Sequence, residues 1–229
     1  MTTESFDRLL SRLPADADHR TAEQVFHSAG WERCGAGDWA IALRSPDGGT
    51  VARISPFDPT GPYAAELYRE ASATAQVPQL FAHRRLSGGG DLQVMEWLLP
   101  SDDADAAAFH AAIADRSPEV AELADSIRRI HDRAQRELPW CGPLDVNSEN
   151  VMRRADVRLV IIDPFFADGP RLYETAATDP DSVAARIPAE QRRFMTEIPL
   201  TSSGPWAQES RDEMRRGLAA ADARLARSE

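Results

Sequence analysis

The sequence predicts an α+β protein in two parts, a small strand-rich part followed by a larger, mainly helical one. Three observations carry this expectation. The hydrophobic pattern changes from helical spacing to alternation between Trp31 and Pro56. Glycine is frequent as far as Gly90 and then scarce, and after Pro100 the chain becomes alanine-rich with apolar residues at helical intervals. The composition, 42% hydrophobic and 28% charged, is that of a globular protein, and a chain of 229 residues should hide roughly 70% of its unfolded surface without covalent staples.

The elements follow in order. A short helical pattern surrounds Phe6, Leu9, Leu10 and Leu13, and a second runs from Thr21 to Ala29 before Gly30. Next come strand, glycine-containing turn, strand, tight turn and strand: WERCGAG, DWAIALRS and TVARISP, with Asp47-Gly48-Gly49 as hairpin punctuation. A helix is expected over Tyr63 to Thr74, closed by Val77-Pro78, because the residue before a proline is pushed out of the helical region. LFAHRRL and DLQVMEWLL, flanking Gly88-Gly89-Gly90, bring the first part to about five strands and one helix. The boundary falls near residues 99 to 101, dividing the chain into 1–99 and 100–229. The second part holds helices over Asp103 to Ala114 and Pro118 to Ala134, the latter with Val120, Leu123, Ile127 and Ile130 on one face. A loop with Pro139, Gly142 and Pro143 leads to two short apolar segments, NVMRR and RLVIID, and to a mostly helical tail from Trp206 to Arg227.

The formal net charge of −11 opposes a phosphate backbone, so nucleic acid is not an expected partner; a cationic small molecule or a metal-nucleotide complex suits the sign better. All 26 basic residues are arginines. Cys34 and Cys141 form no CxxC pair and are expected to be reduced thiols. The longest apolar runs, such as Leu159 to Ile162, are far below the ~20 residues that span a bilayer, so no membrane association is expected. Met1 to Leu10 carries two acids and one arginine rather than a basic-then-apolar signal, which predicts a cytoplasmic protein.

The most informative stretch is PLDVNSENVMRRADVRLVIIDPFF, residues 143–166. It sets Asp145, Asn150 and Asp163 along a loop, strand, turn, strand path, so that a hairpin brings two carboxylates and a carboxamide together. Mg²⁺ takes oxygen ligands and keeps waters and phosphates in its shell; Asn150 and Asp163 suit such an ion, leaving Asp145 to orient a hydroxyl nucleophile. The arrangement resembles the catalytic loop and metal-binding aspartate of the protein-kinase-like superfamily. Ile162-Asp163-Pro164 is similar to the form found in aminoglycoside and other antibiotic phosphotransferases.

Further features stand in the order this resemblance demands. Gly35-Ala36-Gly37 lies in a turn between strands, where backbone can approach phosphates. Val51-Ala52-Arg53-Ile54 resembles the strand carrying the family's phosphate-binding lysine, with Arg53 in that place. Glu66, or Glu70 one turn later, is the expected ion-pair partner of Arg53. LQVMEWLLP resembles the hinge that binds adenine through backbone groups of Glu96, Trp97 and Leu98, with Met95 at the back. IRRIHDRA is similar to the helix before the catalytic loop, and His131 is expected to pack or cap rather than act as a base.

The resemblance implies a bilobal protein-kinase-like fold, ATP and Mg²⁺ as cofactors, and transfer of a γ-phosphoryl group to a small-molecule hydroxyl. No Ala-Pro-Glu tripeptide follows Asp163, in keeping with a small acceptor; Asp168, Glu174, Asp179 and Asp181 could hold an amine-bearing one. Two departures, Arg53 for lysine and Pro143 where the family carries a histidine, leave a second expectation open: a catalytically impaired pseudokinase that binds nucleotide or a protein partner. A third, an αβ protein unrelated to kinases, would leave the same carboxylates as surface charges.

Overall fold

The computed structural model describes residues 8–201, 203–204 and 206–227. Its elements are α1 (His19–Ser28), β1 (Glu32–Ala36), β2 (Ile41–Arg44), β3 (Thr50–Ser55), α2 (Gly61–Glu70), β4 (Leu80–Arg85), β5 (Asp91–Glu96), β6 (Leu99–Pro100), α3 (Asp103–Asp115), α4 (Ala121–Glu137), β7 (Val151–Arg153), β8 (Leu159–Ile161), α5 (Gly169–Thr178), α6 (Pro180–Arg186) and α7 (Gln208–Leu225). Residues 8–10 are also helical; Phe6, expected in the same helix, lies outside the described residues. No helix of the described residues is long and apolar enough to cross a membrane.

The first five strands form an antiparallel sheet in the order β1-β2-β3-β5-β4, and β6, β7 and β8 form a second sheet of three. In β3 the alternation of side chains sends Ala52 and Ile54 into a core closed by Phe26 and Trp31, while Val51 and Arg53 point the other way, into a cleft. A second core, of α2, α3, α4, β7 and β8, lies under that cleft and joins the two lobes. A third packs α5, α6 and α7 around Leu172, Val183 and Leu218.

One strand differs from expectation. The run DLQVMEWLL is not continuous: β5 stops at Glu96, and Leu99–Pro100 pairs with β7 of the second sheet. The Trp97 N–H still donates to the Gly49 carbonyl at 3.0 Å, extending the pairing with β3 by one residue, and its ring lies 4.0 Å from the Arg44 guanidinium.

Polar pairs fasten α2 to α4. The Tyr63 hydroxyl donates to Glu137 at 2.8 Å, Arg133 pairs with Glu66, and Arg129 pairs with Glu70. Positions 63, 66 and 70 descend one face of α2 while 137, 133 and 129 ascend α4, as side chains three or four apart must on adjacent helices. On the other side of the lobe junction Arg154 donates to the carbonyls of Ala75 at 2.6 Å and Val77 at 2.9 Å and pairs with Glu96 at 2.6 Å.

Candidate active site

A cleft of about 370 Å³ runs between the lobes, bordered above by Gly35 and Gly37, at one end by Met95, Glu96 and Leu98, and at the inner end by Arg53 and Asp163. Its floor and roof are apolar, with Val51, Met152 and Ile162 among the lining side chains. The Leu98 N–H has no backbone partner among the described residues, which leaves a donor at the hinge end. The Glu96 side chain turns away to Arg154 and accepts the Gln79 N–H at 2.7 Å, so Glu96 can serve the cleft only through its backbone.

Arg53 bridges two carboxylates, Asp58 at 2.6 Å and Asp163 at 3.0 Å. Burial disfavours its charge, but Asp163 and Asp58 outweigh that and hold the guanidinium above its ordinary pKa. This corrects the expected pairing: Glu66 and Glu70 do not meet Arg53, because both reach α4 instead. Glu66 is also not among the residues lining the cleft. Asp58 takes the role from the loop before α2. It is buried, and its Oδ1 accepts the Thr60 N–H at 3.0 Å, the Thr60 hydroxyl at 3.0 Å and the Gly61 N–H at 2.7 Å, which caps α2 with the same carboxylate that faces Arg53. Asp58-Pro59-Thr60-Gly61 carries an Asp-x-Thr-Gly helix start, and the helix begins at Gly61, two residues before the expected Tyr63.

A second buried acid supports the first. Asp91 accepts from His83 at 2.8 Å, Arg85 at 3.0 Å and Gln93 at 2.9 Å. Burial alone would raise its pKa; the bond from His83 and the charges of His83, Arg85 and Arg53 hold it below the ordinary carboxylate value. Gly61 is dictated by this acid, since a Cβ there would lie 2.7 Å from the Asp91 carboxyl.

Asp163 has a φ of 48°, a left-handed backbone uncommon for a residue with a side chain, and its N–H donates to the Tyr68 hydroxyl at 2.9 Å. Burial raises its pKa against the pull of Arg53, with Asp58 and Asp145 pushing the same way as burial. Tyr68, from the buried face of α2, is a positioning residue absent from the sequence-based list; the sequence shows it only as one more apolar position.

The three residues of the hairpin are joined through the backbone. The Asn150 amide donates to the Asp163 carbonyl at 3.4 Å, and the Asp145 N–H donates to the Pro164 carbonyl at 3.0 Å. The Asp145 carboxylate accepts the Asn147 N–H at 2.9 Å and lines a separate cavity with His110, Leu144 and Val146. Asp163 alone of the three lines the cleft. His131 packs as expected: it donates to the Gly142 carbonyl at 2.8 Å and stacks on Phe165.

Three of the four acids expected to hold an amine have other duties, and the fourth, Glu174, is exposed on α5. Asp168 caps α5, Asp179 caps α6, and Asp181 pairs with Arg224 at 2.8 Å.

A five-stranded sheet with one helix inserted after β3, a hinge, a helical lobe and a hairpin ending in an aspartate under the cleft together make the protein-kinase-like arrangement. The fold is protein-kinase-like. Among solved structures the chain is similar to PK-1, the kinase of Cydia pomonella granulovirus, at 13% identity, covering 87% of this chain and 90% of that one, with a TM-score of 0.38. It is similar to aminoglycoside phosphotransferase APH(3'')-Id from Streptomyces rimosus at 14% identity, 90% and 99% coverage and a TM-score of 0.33. It is also similar to macrolide 2'-phosphotransferase MphH from Brachybacterium faecium at 13% identity, 87% coverage of each chain and a TM-score of 0.33. No family model and no curated protein matches the sequence. These likenesses concern the fold, and what the cleft can do follows from its own residues.

Proposed function

We propose that the chain is a phosphotransferase that moves the γ-phosphoryl group of ATP to a hydroxyl of a small molecule in the cytoplasm, with residues 1–99 binding nucleotide and 100–229 carrying the catalytic loop. The observation that carries this is the cleft itself: a guanidinium and a carboxylate 3.0 Å apart at the inner end, backbone groups at the hinge end, and above them Gly35, which lies in β1 and not in the expected turn, and Gly37 just after that strand.

Each residue then has a task. Leu98 and Glu96 would meet the adenine through backbone groups, Met95 would back it, and Gly35 and Gly37 would let main chain approach the phosphates. Arg53, already held by Asp58, would direct its fork at phosphate oxygens. Asp145 would align the acceptor hydroxyl and take its proton as the acceptor oxygen bonds to the γ-phosphorus and the bond to the β,γ-bridging oxygen breaks, releasing ADP. Asn150 and Asp163 fit Mg²⁺ by donor chemistry, one carboxamide and one carboxylate at the end of a hairpin. The ion, when bound, supplies positive charge beside the transferring group. Glu66 would act at a distance, by fastening α2 through Arg133.

A second reading has a specific observation in its favour. Both ends of the Arg53 fork already face carboxylates, and one of these is Asp163. A chain that keeps this clasp would bind nucleotide weakly or without metal and serve as a pseudokinase module. Thermal shift with ATP separates the readings. At tenfold excess over Kd a bound nucleotide stabilises by about 1.4 kcal/mol, and transfer to a panel of alcohols follows only for the enzyme. Asp145→Asn should abolish transfer and spare the shift. Unchanged turnover in that variant would remove Asp145 from the mechanism; a shift without transfer would favour a nucleotide-binding module; no shift at all would refute the enzyme and leave only a module that binds a protein partner.

A further inference from the structure

A small cavity of about 150 Å³ lies where the segment 189–197 meets α7, and it shares no lining residue with the nucleotide cleft. Met195 and Leu218 give it an apolar wall. Three guanidinium groups, of Arg192, Arg193 and Arg215, line it beside one carboxylate, Asp222. In a chain with a formal net charge of −11 this is a local reversal of sign.

Donors outnumber acceptors in this cavity. Arg192 is buried, donates to the Ile187 carbonyl at 2.8 Å and pairs with Asp222, which engages the cavity's one carboxylate. Arg215 donates from Nε to the Thr196 hydroxyl oxygen at 2.9 Å. Its other nitrogens stand 3.4 Å from Asp212 and 3.9 Å from Glu197, neither of which lines the cavity, and Glu197 is held more closely by Arg20 at 2.5 Å. Arg193 has no ion-pair or hydrogen-bond partner among the described residues; its guanidinium lies 5.1 Å from the centre of the Phe194 ring. The Thr196 side chain is buried, and because its oxygen accepts from Arg215, its own O–H is left to donate, with no acceptor among the described residues.

A buried hydroxyl without an acceptor and a guanidinium without a counter-ion, lining one cavity, call for an anion. Arginine forks match the oxygens of phosphate. Three positive charges against one negative leave an excess of two, which a dianion cancels. The volume lies below the ~300 Å³ at which pockets for drug-sized ligands begin, so the cavity suits a phosphoryl group and not a whole nucleotide. The segment that carries the donors also touches the small lobe, since Phe194 packs over Gly88, where a Cβ would collide with its ring, and its N–H donates to the Gly88 carbonyl at 3.4 Å.

We propose that this cavity is a second, non-catalytic binding site for a phosphate dianion, free or as the head of a small phosphomonoester, with Arg193, Arg215 and the Thr196 hydroxyl as its donors. The site does not depend on the phosphotransferase reading.

The test is calorimetric titration of the full chain at fixed ionic strength with inorganic phosphate and with methyl phosphate, in the presence and absence of ATP. Saturable binding is expected, unchanged by ATP, with no binding of chloride or nitrate. The double variant Arg193→Gln, Arg215→Gln should weaken it at least about tenfold and Thr196→Val about threefold or more. Arg193→Lys, which keeps the charge and loses the fork, should weaken it at an unchanged melting temperature, so that lost binding is not mistaken for lost folding. Arg171→Gln, an exposed arginine on α5, should change nothing. Tighter binding of methyl phosphate assigns the site to an ester, and tighter binding of phosphate to the free ion. Phosphate binding that survives the double substitution, or that ATP displaces, would place the anion in the cleft and overturn the proposal, as would the absence of saturable binding.

Discussion

Replacing Asp58 by asparagine tests the central rearrangement of the site. Asparagine keeps an oxygen where Oδ1 accepts the Thr60 and Gly61 donors, so the cap of α2 survives, but it removes the charge 2.6 Å from Arg53. Breaking a buried ion pair by removing one partner costs about 3–5 kcal/mol. Asp163, 3.0 Å from the same guanidinium, still shares its charge, so the lower end applies, about 3 kcal/mol. Asp58→Ala also loses the cap, worth ~1 kcal/mol, for a total of about 4. Urea unfolding at neutral pH reads these values directly. For a chain of this size a loss of about 3 kcal/mol lowers Tm by roughly 6–12 °C. The contrast is Glu66→Gln, which breaks a partly exposed pair with Arg133 and should cost under about 1 kcal/mol. If Asp58→Asn loses less than about 1 kcal/mol, or if Glu66→Gln matches it, Asp58 is not what holds Arg53.

Three further expectations follow from the same network. Gly61→Ala places a Cβ 2.7 Å from the Asp91 carboxyl and should destabilise by about 1–3 kcal/mol in urea, although alanine is ordinarily the better helix former. The folded pKa of Asp91 lies below its unfolded value, so its stabilisation is complete above the ordinary carboxylate range and is lost as pH falls through the depressed folded value; Asp91→Asn should lower Tm at neutral pH and flatten the acid limb of a Tm-versus-pH curve. The α2–α4 pairs are partly exposed and therefore screened, so the difference in Tm between 0.1 and 1 M salt, where the Debye length falls from ~10 to ~3 Å, should shrink in a Glu66→Gln, Glu70→Gln double variant.

Much of the architecture was legible because it is encoded locally. Alternation in TVARIS set Arg53 on the cleft face, Asp47-Gly48-Gly49 joined β2 to β3, and the spacing of Leu123, Ile127 and Ile130 gave the buried face of α4. Tertiary pairing was less accessible. Nothing along α2 says whether Glu66 turns to the sheet or to α4, since both lie within its reach and only the presence of Arg133 and Arg129 on the neighbouring helix decides. The run DLQVMEWLL has good strand character throughout, yet Leu99 and Pro100 pair with β7 of the other sheet, a switch with no sequence signature. The arginine-lined cavity gathers Arg192, Arg193 and Thr196 from one segment and Arg215 from α7, neither of which forms a pattern by itself.

Arg154 on one flank and the α2–α4 pairs on the other stitch the lobes together at two well-separated edges, which leaves little freedom for a scissoring motion between them. The β1–β2 hairpin is different in kind, because β1 forms the sheet's margin and its tip is tethered through Asp38 to Leu200 and Ser203. The hairpin is therefore pinned at both ends, by its pairing with β3 and by the segment around Leu200 that reaches across to its tip.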